Sequence, residues 1–364
     1  MNFDRGNEGP PRSFQVGSLK DNLKTFEKYL DRSGRPVDRH YCIVGTTFSL
    51  RYANEVMLPV ISPALEHLQV EVAGPSELTI YIWDSESTGA PAIVTGCDSS
   101  SPAKGEIWIR NETSETSAFR PADNLLYQLN ADEGVAHFWA QDGTELPFDE
   151  RVGPLRHILS WWLRERDLYF VHSSGVGTDS GGLLIAGNNG AGKSTTALTC
   201  LNSGLKFFGD NYVLVGGGPR PNLSTLYASA SLRIPHANNV PDILAPFNPS
   251  TSVQAGKQSA YLNHVYPDRM ASGLPLRAIA FPLLTDAPET TFQLATKRDA
   301  LMALVSNSIT PLSGRDPEAF QFLASLVRRL PTYRLLIGTD RGRIPGAITR
   351  LLEQSEQDTG AELP

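Results

Sequence analysis

Three cysteines in 364 residues, Cys42, Cys97 and Cys200, are too few, too far apart and odd in number for a disulfide scaffold or a CxxC zinc site. Their scarcity fits a reducing compartment. No apolar run approaches the roughly 18 residues needed to span a bilayer, and "MNFDRGNEGPPR" at the start has no apolar core of a signal peptide. A basic excess is also missing: the net charge is −7, whereas a duplex-binding protein shows a positive stripe that neutralises phosphates. Arg328, Arg329, Arg334, Arg341, Arg343 and Arg350 gather near the C-terminus, but spread over a helix, a strand and a turn they read as a solvated face. The expectation is a soluble cytoplasmic protein without a membrane span or a nucleic-acid partner.

What is present falls into three stretches. Residues 1–37 combine a flexible start, rich in Gly, Pro and charge over 1–17, with an amphipathic helix, "SLKDNLKTFEKYL", whose Leu19, Leu23, Phe26 and Leu30 share one face. Ser18 and Asp21 stand at capping-box spacing at its start. The helix packs on its own chain or serves as a docking arm. Residues 38–150 are β-rich, with "YCIVGTTFSLRY", "LTIYIWD", "GEIWIRN" and "NLLYQLN" as short runs and one helix around Pro63–Leu68. His40, His67 and His137 stand there without ligand spacing. "AQDGTELPFDERVGP" (140–154) marks a boundary, and residues 151–364 alternate strand and helix as an α/β domain does. Two helices are expected between Lys297 and Leu330, and a last one from Ile344 to about Gln354.

The chemistry concentrates at "LLIAGNNGAGKSTTAL". Gly187, Asn188, Asn189, Gly190, Ala191, Gly192, Lys193 and Ser194 match GxxxxGK[ST], with an apolar strand before them and a helix-forming run, "STTALTCLNS", whose Thr195 joins the candidate site. Glycines let backbone N–H groups curl around phosphates, and a helix N-terminus adds roughly half a positive charge. In such a loop Lys193 neutralises the β and γ phosphates and the Ser194 hydroxyl takes Mg²⁺, so ATP and Mg²⁺ are the expected cofactors.

The wording of the loop also resembles that of ABC-transporter ATPases, which need a signature motif and a strand ending in Asp-Glu. Here "LSGRD" (312–316) lacks the second Gly and the Gln, and Arg341 follows Asp340 where the glutamate belongs. The flanks fit another family. His172 stands fifteen residues before Gly187, and Asp210 stands seventeen after Lys193 at the start of a second strand. A strand histidine, Gly-Lys-Ser, a helix ending in Gly and an acidic pair resemble the HPr kinase/phosphorylase family over residues 168–216.

That resemblance implies an α/β P-loop kinase domain of the HPr kinase/PEP carboxykinase-like type, preceded by a smaller β-rich α+β domain without counterpart in the kinase. It implies that residues 187–194 hold ATP and Mg²⁺, that His172 sits beside the transferring phosphate, and that Asp210 joins Ser194 at the metal. The family's proton acceptor is replaced by Asn211. An amide cannot take that proton, so Asn211 can only position a hydroxyl. The family's further metal-binding Glu has no counterpart, since Asp242 is the only acid between Asn211 and Tyr266. Arg233 and Lys257 are weaker candidates for phosphate or substrate contact. The expected activity is transfer of the γ-phosphate to a hydroxyl of a protein or peptide serine or a small molecule, with the N-terminal module recognising the acceptor or assembling a homo-oligomer. The alternatives are a nucleotide-binding regulator and an ABC-type ATPase.

Overall fold

Strand-forming runs bounded by glycine turns and two helix-rich stretches produce a mixed α/β chain with several sheets. The computed structural model describes residues 14–30, 34–71, 74–95, 105–233, 253–254, 256–308 and 317–360. The expected flexible start up to residue 13, Cys97, Asp242 and "LSGRD" lie outside the described residues. The chain divides into two compact units, 1–61 with 69–150 and 62–68 with 151–364. Among the described residues no helix is long and apolar enough to cross a membrane.

In the first unit, β1 (Gln15–Val16) precedes α1 (Leu19–Leu30), then β2 (Val37–Ile43), β3 (Thr46–Tyr52), β4 (Gln69–Val70), β5 (Leu78–Asp84) and β6 (Val94–Thr95), followed by β7 (Trp108–Asn111), β8 (Thr116–Arg120), β9 (Leu125–Asn130) and β10 (Val135–Ala140). An eight-stranded sheet runs β4-β2-β3-β5-β10-β9-β8-β7, and β1 pairs β6. "YCIVGTTFSLRY" is a hairpin rather than one strand, because Val44 and Gly45 both take positive φ (51° and 81°), the geometry of a tight two-residue turn. The helix expected at Pro63–Leu68 is replaced by two short turns, Leu58–Ile61 and Glu66–Leu68. Ser62 precedes a proline, which disfavours helical backbone and stops the first turn.

The capping pair at α1 forms, with Ser18 Oγ donating to Asp21 Oδ2 (2.9 Å) and Asp21 N to Ser18 Oγ (3.3 Å). Leu19, Asn22 and Phe26 are buried, so the helix packs on its own unit. Phe26 sets its ring edge to face with Tyr81 at 5.2 Å and joins Trp83, Trp108, Phe119 and Trp139 in one apolar cluster. Burying a side chain of that size contributes about 2–3 kcal/mol.

The second unit carries α2 (Arg156–Arg164), β11 (Leu168–Val171), β12 (Ser174–Thr178), β13 (Gly181–Ile185), α3 (Lys193–Asn202), β14 (Lys206–Gly209), β15 (Val213–Gly216), β16 (Asn222–Ser224), β17 (Ser229–Arg233), β18 (Val253–Gln254) and β19 (Lys257–Tyr261). β20 (Leu274–Leu284), β21 (Thr291–Leu294), α4 (Lys297–Ser308), α5 (Pro317–Arg329), β22 (Thr332–Ile337) and α6 (Ile344–Gly360) complete it. The last helix passes the expected end near Gln354, since residues 355–359 hold neither Pro nor Gly.

The main sheet runs β11-β15-β16-β20-β13-β12-β14, with β22 beside β20 and β21 beside β22. β13, β20 and β22 are parallel neighbours, and β17, β19 and β18 form a separate sheet. The continuous apolar run of β13 is explained by burial on both faces. Leu183 and Ile185 pack with α3 and α6 through Leu198, Leu201, Ile348 and Leu351, while Leu184 and Ala186 pack with α4 and α5 through Ala300, Leu304, Leu323 and Leu326.

Candidate functional site

The apolar strand β13 delivers the chain into the glycine loop, and the loop delivers it into α3. Gly187, Gly190 and Gly192 take φ of 139°, 89° and 96°. At Gly192, the N-cap of α3, that left-handed backbone is what lets the helix start without a side chain over its amides. Ala191 N donates to Asn188 O (3.1 Å), which tightens the loop. Thr196 N to Gly192 O (2.9 Å) is the first turn's helical bond, so the amides of Lys193, Ser194 and Thr195 precede the ladder, as anion-binding helix termini require. The far end of α3 is closed by Gly204 (φ 94°): Leu205 N donates to Cys200 O (3.1 Å) and Gly204 N to Leu201 O (3.0 Å), a Schellman stop.

Lys193 is buried, with its ammonium donating to Gly187 O (2.7 Å) and Asn188 O (3.2 Å). Burial lowers its pKa from the ordinary lysine value; Asp210 opposes the change, and Lys257 adds to it. Asp210 lies behind the loop, 2% exposed. Its Oδ1 accepts from Ser194 Oγ (2.8 Å) and Ser174 Oγ (2.7 Å), and its Oδ2 from Ser231 N (3.1 Å).

Strand alternation would turn Asp210 and Asn211 to opposite faces, and the backbone between β14 and β15 prevents it. Gly209 has φ 150°, and a Cβ there would stand 2.3 Å from Tyr212 O. Asn211 follows with φ 70°, held by a hydrogen bond from Nδ2 to Ser231 Oγ (3.2 Å). Both residues therefore reach the loop from one turn. His172 directly follows β11 and meets Tyr212 edge to face at 5.4 Å. Burial, and then the Lys193 charge, push its imidazole down to about 4, so the ring is neutral at pH 7.

A pocket of about 230 Å³ opens in front of the loop. Of the residues singled out from sequence, Asn189, Gly190, Gly192, Lys193, Ser194, Thr195 and Asn211 line it, and so does Lys257. Gly187, Asn188 and Ala191 shape the loop without lining the pocket. Asp210 acts from behind Ser194, and His172 stands off the wall against Tyr212. Arg233 closes β17, but its side chain is outside the described residues. Sequence reasoning missed Ser174 and Ser231, which hold Asp210, and Leu284, Ile337, Arg341 and Ile344, which also line the pocket. Ser174 stands two residues after His172, the one local signal that could have raised it.

Among the described residues no group of three or more His, Cys, Asp or Glu side chains could hold a metal ion. The hard-oxygen pair Ser194 and Asp210 is the arrangement a cation could use here.

No family model matches the chain, and no curated protein sequence matches it. Among solved structures the chain is similar to the Hpr(Ser) kinase/phosphatase from Coxiella burnetii, at 10% identity and a TM-score of 0.30, over 52% of this chain and 98% of that one. The two share a distant structural relation.

Proposed function

We propose that the chain is an ATP- and Mg²⁺-dependent phosphotransferase of HPr-kinase type, moving the γ-phosphate to a hydroxyl of a protein or peptide serine or of a small molecule. One observation carries the proposal: Ser194 Oγ and Asp210 Oδ1, sixteen residues apart, meet at 2.8 Å at the foot of a glycine loop. Two oxygen donors of this kind suit Mg²⁺, which takes one or two carboxylates and fills its shell with phosphate oxygens and water. The loop suits a triphosphate, because its glycines carry no Cβ into the cradle: at Gly190 such an atom would meet nothing within 4 Å. Bound magnesium supplies charge neutralisation for the phosphate oxygens.

The chain's own groups account for the rest. Lys193 is placed to exchange the Gly187 and Asn188 carbonyls for phosphate oxygens. Asp210, fixed by three donors, holds the Ser194 hydroxyl in orientation. Asn211 faces the pocket and positions the acceptor hydroxyl by hydrogen bonding. Phosphoryl transfer passes through a loose transition state, so positioning and electrostatics supply most of the acceleration. In this reading residues 151–364 are the transferase and residues 38–150 recognise the acceptor or assemble an oligomer.

A second reading, a nucleotide-dependent regulator, has one observation in its favour: the side chain facing the pocket at the end of the turn is an amide, which accepts no proton. Phosphate transfer from Mg-ATP to hydroxyl acceptors, measured beside ATP binding, separates the two. Under the transferase reading Lys193→Ala lowers transfer at least about 100-fold, as loss of a preorganised charge does, and Asn211→Asp keeps or raises it. Tight binding without transfer in wild type and in Asn211→Asp favours the regulator. Unchanged transfer in Lys193→Ala removes the loop from the mechanism.

A further inference from the structure

Besides the glycine loop, Asn211 and Lys257, the pocket is lined by the ends of β20 and β22 and the turn before α6. Leu284, Ile337, Arg341 and Ile344 form this wall. Ile337 and Ile344 are buried, but Leu284 is 73% exposed. Its Cδ2 lies 4.0 Å from where a Cβ on Gly192 would stand, which puts a bare apolar side chain against the mouth of the cradle. Arg341 adds a planar guanidinium, a group that stacks on heterocyclic rings.

Among the described residues, several backbone groups of this wall are committed elsewhere. Thr339 N donates to Ala287 O (2.8 Å), Asp340 N to Pro288 O (3.2 Å) and Arg343 N to Asp340 O (3.2 Å). Gly342 N donates to Asp340 Oδ1 (3.1 Å), and Asp340 Oδ2 accepts from Arg343 Nε (2.9 Å). Across from them, Thr285 N donates to Ile337 O (2.9 Å). Strong discrimination between ring substituents requires polar groups left unpaired by the wrong ligand. Amides and a carboxylate already engaged in a turn do not supply that.

We propose that this wall is the nucleobase subsite of the pocket, where Leu284 and Arg341 clamp a purine ring by stacking and do not read its edge, so that adenine and guanine nucleotides bind alike. The proposal rests on the nucleotide reading of the loop, and one set of titrations tells the two apart. Calorimetry with Mg²⁺ and ATP, GTP or inorganic tripolyphosphate is run on wild type, Leu284→Ser, Arg341→Ala and Lys193→Ala. ATP and GTP are expected within about threefold of each other, and Leu284→Ser and Arg341→Ala should weaken both about five- to tenfold while leaving tripolyphosphate within about twofold. Lys193→Ala should weaken all three ligands.

A preference between ATP and GTP above about thirtyfold, some 2 kcal/mol, overturns the non-reading wall. Equal losses for tripolyphosphate and ATP in the two wall variants, or no loss for either, overturn the subsite while the phosphate cradle stands. Wall variants that raise only the KM for the acceptor assign the wall to the acceptor and overturn the proposal. Wild type that binds none of the three overturns the cradle, and the subsite with it.

Discussion

Gln128 in the first unit and Asp210 in the second are buried polar side chains that each make hydrogen bonds with several separate segments of their unit. Gln128 Nε2 donates to Glu115 Oε1 (2.9 Å) and Gly17 O (3.2 Å), and its Oε1 accepts from Asn22 Nδ2 (2.6 Å). Asn22 lies on α1, Gly17 just before it and Glu115 just before β8, so the network ties α1 to the sheet. Beside it, Trp83 Nε1 donates to His137 Nε2, and Arg120, 3% exposed, meets Asp123 (2.6 Å), Asp149 (2.9 Å) and Glu150 (3.2 Å). Asp210 has a similar count of bonds with a different outcome, because one partner, Ser194, lines a pocket. A buried polar network marks a site when a member faces a cavity; otherwise it specifies packing.

Four experiments would break or sharpen that contrast, and removing a charge from the closed network has the largest expected effect. Arg120→Ala takes the guanidinium away from buried Glu150 and should destabilise the first unit by about 3–5 kcal/mol in denaturant melts, with Mg-ATP affinity of the folded protein unchanged. A loss of affinity would show that the networks are not separate in function. Asp210→Ala should do the reverse, lowering phosphate transfer about 100-fold or more with a smaller change in stability; equal transfer in the variant would make Asp210 a packing residue like Gln128. Gly209→Ala pushes a Cβ against Tyr212 O, and should cost about 2 kcal/mol while displacing Asp210 from Ser194, read as lower stability together with weaker Mg²⁺ dependence.

The fourth experiment is the acid response. Burial holds His137 at about 3 in the first unit, and His67 and His172 at about 4 in the second, against an ordinary 6.5. Each ring is neutral when folded and binds a proton when unfolded, so its contribution is complete above pH 6.5 and is lost as pH falls from there toward the folded value. The slope is up to about 1.4 kcal/mol per pH unit per ring. Between pH 6.5 and 5 the second unit, with two such rings among the described residues, should lose stability more steeply than the first, as read by hydrogen exchange resolved to each unit. Equal slopes would mean that His67 or His172 is not shielded in solution.

The parts of the site visible in sequence are those written as local spacing. The loop, its strand and its helix share one continuous stretch, and Gly204 marks the end of α3 by the backbone it alone adopts easily. Asp210 was legible as a candidate, but its direction depends on the φ of Gly209, which the residue name permits without dictating. Ser174, Ser231, Leu284 and Arg341 were not legible as partners, because they arrive from separate strands and a turn with no motif of their own. In the first unit the alternation of "LTIYIWD" identified strand β5, whereas "YCIVGTTFSLRY" hid a hairpin, since Val44 at positive φ is against the habit of a β-branched residue.

Residues 62–68 sit inside the first unit's sequence yet belong to the second unit, where Ala228 N donates to Ala64 O (2.8 Å) and His67 Nε2 pairs with Thr225 O (3.2 Å) across 158 residues of chain. During synthesis this heptapeptide leaves the ribosome long before the strands it joins. The second unit therefore cannot finish folding as an autonomous C-terminal bead, and a chain cut at residue 150 would leave its C-terminal fragment without residues 62–68.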